Sequence, residues 1–116
     1  MSTQPDHGTE LDPRAEHTPD AVRVALARIA PHRLDEMEKH KEEALAAAIR
    51  TNRIGHLQHW LTHWAAQVEI ERRPDLSARR SRALATIHGT TSKGDPAFRS
   101  AMDELRAVEH MATQAV

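Results

Sequence analysis

The sequence predicts an all-α fold: a small bundle of about five short helices behind a disordered N-terminal tail. Three observations carry this. The apolar residues are mainly Ala, Leu, Ile and Val, with one Phe, two Trp and no Tyr, so the residues that favour strands are scarce. Apolar positions recur at helical spacing in five successive segments. Those segments are separated by caps and prolines that stop or start helices. At 116 residues the chain suits one domain with a single, rather thin core.

Residues 1–17 are polar, hold one large aliphatic residue, Leu11, and bury too little to offset the entropy of ordering. They are expected to form a flexible tail, with a single helical domain over 18–116. Thr18 is a good N-cap, followed by Pro19 at the first helical position and Asp20 in the positive first turn. Val22, Ala25, Leu26 and Ile29 then mark one inward face, and Pro31 ends the helix by disfavouring helical geometry at Ala30. A second helix is expected from about His32 to Thr51, with Leu34, Met37, Leu45, Ala48 and Ile49 inward. The charged run from Asp35 to Glu43 reads as its solvated face, supported by Lys39 with Glu43 and Glu38 with Lys41.

The break at Asn52 to Gly55 offers two residues that tolerate left-handed geometry. A third helix follows from about His56 to Arg72 and stops before Pro74. A fourth fits Asp75 to His88, with Leu76, Ala83, Leu84 and Ile87 inward and Gly89 beyond its end. After a loop at Thr90 to Gly94, Asp95 and Pro96 repeat the cap-and-proline start. Phe98, Met102, Leu105, Val108 and Ala112 give the last helix its apolar face.

The third helix holds the most unusual composition. His56 through Trp64 contains three of nine histidines and both tryptophans. On a helix His56, His59 and His63 fall within an arc of about 60°, beside a stripe of Leu57, Trp60, Leu61, Trp64 and Val68. The apolar stripe is expected to pack, with the indole N–H groups seeking partners. His59 and His63, at i and i+4, have the spacing for two imidazoles to share a Zn²⁺ or Ni²⁺ ion. His56 lies about 10.5 Å from His63 along the axis, so a third ligand has to come from another helix: His40, His88, His110 or a glutamate of the second helix. The half-exposed imidazoles also suit a pH-sensitive contact. The residues after His59 are Trp60, Leu61 and Thr62, so the glutamate of a zinc protease motif is missing.

Arg72, Arg73, Arg79, Arg80 and Arg82 form the densest basic cluster, suited to an acidic partner or to nucleic acid. Glu69, Glu71 and Asp75 lie among them and are expected to pair with several. The net charge of −1 provides no general attraction to nucleic acid or to anionic membrane. Residues 1–51 carry ten acids against seven bases, and residues 52–116 seven against nine. The absence of cysteine excludes disulfides and thiolate sites. Neither a basic leader with an apolar core nor a run of roughly 18 apolar residues is present, so a cytoplasmic protein without membrane association is expected. Gly89 to Gly94 lacks the spacing of a phosphate-binding loop, and no Gly-x-Ser-x-Gly motif occurs, so no enzymatic activity is expected.

From Pro19 to Pro74 the chain sets Arg23, Ala25 and Leu26 on a helix closed by Ile29, Ala30 and Pro31. Leu34 and Met37 follow on a Glu-rich helix, then Thr51 and Ile54 at a turn, then Leu57, Trp60, Leu61, Trp64 and Ala65 before Pro74. This pattern, covering about half the chain, resembles a family of small actinobacterial (Streptomyces-type) helical proteins without an assigned activity. The resemblance implies an antitoxin-like or accessory role beside another small protein, and it carries over no catalytic residue. The expected function is a non-enzymatic interaction module, forming a homo- or hetero-oligomer. Trp60, Trp64, Arg72, Arg73, Arg79 and Arg80 are the candidate partner contacts. A transition-metal site at His59 and His63, and a nucleic-acid surface at Arg72 to Arg82, are the alternatives.

Overall fold

The computed structural model describes residues 14–116. It contains α1 (Pro19–Ile29), a short 3-10 turn (Pro31–Arg33), α2 (Leu34–Thr51), α3 (Gly55–Arg72), α4 (Pro74–Gly89) and α5 (Pro96–Ala115). No strand occurs among the described residues. Residues 1–13 of the expected tail lie outside them.

Local chemistry accounts for the boundaries. The Thr18 hydroxyl accepts the Ala21 amide at 3.2 Å, and an Asp95 carboxylate oxygen accepts the Ala97 amide at 2.8 Å. Prolines 19, 74 and 96 occupy first positions, where a helix has no use for an amide proton. Pro31 stops α1 and opens the 3-10 turn, so α2 starts at Leu34 rather than near His32. At the other end of α2, Asn52 adopts the left-handed conformation (φ 56°), and the Arg53 amide returns to the Ala48 carbonyl at 3.1 Å. Gly55 has no positive φ and begins α3 instead.

α3 is the shared element: it packs against α1, α2, α4 and α5, whereas α1 and α2 pack on neither α4 nor α5. On one side Val22, Leu26, Ala30 and Met37 meet Trp60, Trp64, Ala65 and Val68. On the other, Ala66 and Ile70 meet Leu76, Val108 and Ala112. Val116 touches both groups. Of the apolar faces assigned to α4 and α5, Leu76, Ala83, Val108 and Ala112 are buried, and Leu84, Ile87, Phe98, Met102 and Leu105 are partly covered.

All residues from 64 to 70 are buried, including Gln67 and Glu69. A buried amide or carboxylate is tolerated only with partners. The Glu69 side chain, wholly excluded from solvent, is clasped from two directions. Arg14 donates Nε and a terminal nitrogen at 3.0 and 3.1 Å, and Arg72 donates its pair at 2.7 and 3.2 Å. Burial alone would push the Glu69 carboxyl up, but the two guanidiniums outweigh it and hold the group below the usual carboxylate range. Gln67 accepts from Arg33 at 2.9 Å. Arg33, itself buried, also reaches Glu71 at 3.2 Å and Glu36 at 3.3 Å and lies 5.0 Å from the Trp64 ring centre.

Two expectations are corrected here. Residues 14–17, assigned to the tail, are tied down: Arg14 is bonded to Glu69, and Ala15 packs on the core. Leu45 and Ile49, assigned inward, are 47% and 74% exposed, and Ala48 is only partly covered. They share a helix face as their spacing requires. That face has no element opposite it, because α2 extends past its contacts with α1 and the 3-10 turn and retains only α3 as a neighbour.

Removing the carboxylate removes four charge-assisted hydrogen bonds, so Glu69→Ala is expected to lower unfolding free energy by about 3 kcal/mol in urea denaturation. A change within about 0.5 kcal/mol would show that the clasp contributes nothing beyond a surface pair. The carboxyl is depressed in the folded state. Its contribution is therefore present above the ordinary carboxylate range and disappears as pH falls through the folded value.

Candidate functional site

Beyond the enclosed part of α3, its first half pairs with the second half of α2 as a projecting hairpin. A groove of about 620 Å³ lies along this hairpin, lined from α2 by His40, Glu43 and Ala44 and from α3 by Gly55, His56, His59, Trp60, His63 and Trp64, with Arg53 at the turn. Its walls combine apolar surface with imidazoles. The three histidines predicted to share one arc all reach it, and the fourth, His40, arrives from α2.

Both tryptophans are core residues, and their part in the groove is to form its wall. The Trp60 indole N–H donates to the Met37 carbonyl at 3.2 Å, fastening α3 to α2. Lys41 lies 5.8 Å from the Trp60 ring centre. Trp64 is stacked among His40 (5.7 Å between ring centres), His63 (5.5 Å, edge-on) and Arg33. Its indole N–H has no hydrogen-bond acceptor among the described residues.

Of the candidate third ligands, the structure brings His40 to within 6.3 Å of His63, measured between ring centres, and places Glu43 in the same groove. His88 and His110 are exposed on α4 and α5 and do not line it. No group of three or more histidine or carboxylate side chains among the described residues converges on a common metal position. His59 and His63 thus stand in the groove as a pair, without a third converging ligand.

Four of the five arginines in the basic cluster are spent on the fold, and Arg82 is exposed without an ion pair among the described residues. Arg72 clasps Glu69, Arg73 bonds Asp75 at 3.0 Å, Arg79 grips Glu104 with two bonds of 2.7 and 2.9 Å, and Arg80 lies 3.8 Å from Glu71. Each pairing offsets field that phosphate contacts would need. Sequence reasoning missed Arg14, Arg33 and Gln67. The signal available was the pair of polar residues, Gln67 and Glu69, set in the otherwise apolar run Ala65 to Ile70.

Burial pushes the His63 imidazole below its ordinary pKa of 6.5; neighbouring Glu109 opposes this, while His40, His59 and Arg33 add to it. The folded state therefore binds this proton more weakly than the unfolded chain. The resulting stability is complete above the ordinary histidine value and is lost as pH falls through the folded one. Thermal midpoints measured from about pH 7 to 5 should fall less in His63→Phe than in the parent, and parallel profiles would contradict the assignment. In comparisons with known proteins, no family model matches the chain, nor does any curated protein or solved structure.

Proposed function

We propose that this chain is a non-enzymatic helical interaction module that holds a helix of a partner protein on its α2–α3 hairpin. The observation that carries the reading is the exposed aliphatic surface of the hairpin end. Leu45, Ile49 and Ile54 are 47%, 74% and 68% exposed, and Leu45 and Ile49 stand one helical turn apart. Residues 64–70 of α3 are all buried, whereas Gly55, Gln58 and His59 at its start are exposed. A partner helix laid along the outer face of α2 covers these residues with its own apolar face, as amphipathic helices do when they dock.

The groove opens on the other face of α2, at His40, Glu43 and Ala44, and is walled by rigid indole rings, the kind of surface that desolvates an anchor side chain. The antitoxin-like role implied by the family resemblance is one instance of such a module. The arginines from 72 to 80 support the fold through intramolecular pairs, which favours the hairpin over that cluster as the contact surface.

The double variant Ile49→Ser, Ile54→Ser tests this. Both residues are exposed, so its stability should stay within about 0.5 kcal/mol of the parent, while the complex recovered from the native host should be lost. Recovery of the parent alone and strictly monomeric, under conditions that preserve weak complexes, would contradict the proposal. So would a complex that survives both substitutions.

A further inference from the structure

At the far end of α3 from the hairpin, Glu69 holds a segment that is lightly attached. Residues 14–17 are tied down by the two Arg14 bonds to Glu69 and by Ala15 on the core, while Glu16 and His17 are exposed. The Arg14 side chain is itself 49% exposed, against 0% for Glu69. Glu69 does not depend on it. Arg72 makes two bonds to the same carboxylate and Arg73 lies 3.6 Å away, so the buried charge stays paired when Arg14 leaves. The segment also fills its seat incompletely. Beside it lies a cavity of about 320 Å³, lined by Ala15 and His17 of the segment and by Ala65, Val68, Ala115 and Val116.

A buried carboxylate next to an unfilled apolar cavity suits a guanidinium followed by a large aliphatic side chain. Arg14 with the small Ala15 supplies only the first half. We propose that Glu69 and this cavity form an arginine-binding site, separate from the docking surface on the hairpin, whose ligand is an extended protein segment carrying Arg followed by Leu, Ile or Val. Residues 14–17 are then a strap that occupies the site in cis until such a segment displaces it. Two parallel N–H bonds to one carboxylate select arginine over lysine. The strap competes at the high effective concentration of a tethered ligand, which keeps the site closed to weak binders.

The test uses the full chain, as the parent and as Arg14→Ala, with short labelled peptides that carry Arg-Leu, Arg-Ala, Lys-Leu or citrulline-Leu at the same position. Affinity is read from anisotropy, the site from NMR shifts, and circular dichroism confirms that the variant is folded. Arg14→Ala removes the cis competitor and is expected to bind the Arg-Leu peptide about tenfold more tightly than the parent, with shifts at Ala65, Val68, Glu69 and Ala115. The other three peptides should each bind about tenfold more weakly than Arg-Leu. The same order is expected with the parent, which keeps the test independent of the variant's stability. Equal binding by parent and variant would overturn the strap. Citrulline binding as tightly as arginine would overturn the guanidinium site, and Arg-Ala matching Arg-Leu would overturn the role of the cavity. Free arginine amide competing as well as the Arg-Leu peptide would overturn the protein segment in favour of a small guanidinium compound. Binding of none of the peptides by either protein would overturn the whole proposal.

Discussion

Everything in this fold is arranged around one constraint: seven consecutive residues of α3, from 64 to 70, are buried on all sides. A helix turns through a full circle in fewer than four residues, so such a run cannot be apolar stripe against polar stripe. Gln67 and Glu69 lie inside it and have to be matched by donors. Arg33 answers Gln67, and Arg14 with Arg72 answers Glu69. These bonds do more than offset burial. They anchor the segment before α1 and fix the 3-10 turn that sets the path from α1 into α2.

The same constraint explains why the two ends of α3 behave differently. Residues 64–70 are enclosed, whereas Gly55, Gln58 and His59 at the start of α3 and Leu45 and Ile49 near the end of α2 are exposed. Ile54, between the two helices, is exposed as well. Trp60 sits at the boundary, with its ring in the core, its N–H on Met37 and its edge in the groove. α3 is thus enclosed over 64–70 and open at its start, beside the exposed aliphatic residues on which the proposed docking rests.

The sequence made local features legible and distant ones illegible. The caps at Thr18 and Asp95, the stop at Pro31 and the left-handed Asn52 are short-range chemistry, and the helices lie close to where those residues put them. The division of His56 to Trp64 into a packing stripe and a histidine stripe followed from angle alone, and both stripes are found. Leu45 and Ile49 were misplaced because periodicity reports which residues share a face, never whether anything stands opposite. Arg14 and Glu69 are 55 positions apart, and no local pattern couples them. The basic cluster drew attention through its density, yet Arg79 pairs with Glu104 across to α5, beyond the reach of sequence spacing.

The central claim is that one helix serves as fastened core at one end and uncovered surface at the other. Residue-resolved native-state hydrogen exchange tests it most directly, since amides that open only on global unfolding exchange most slowly. Residues 64–70 are predicted to exchange with the free energy of global unfolding, and residues 44–59 of the hairpin end through smaller local openings. Uniform protection along the whole hairpin, or faster exchange in 64–70 than at the hairpin end, would contradict the account.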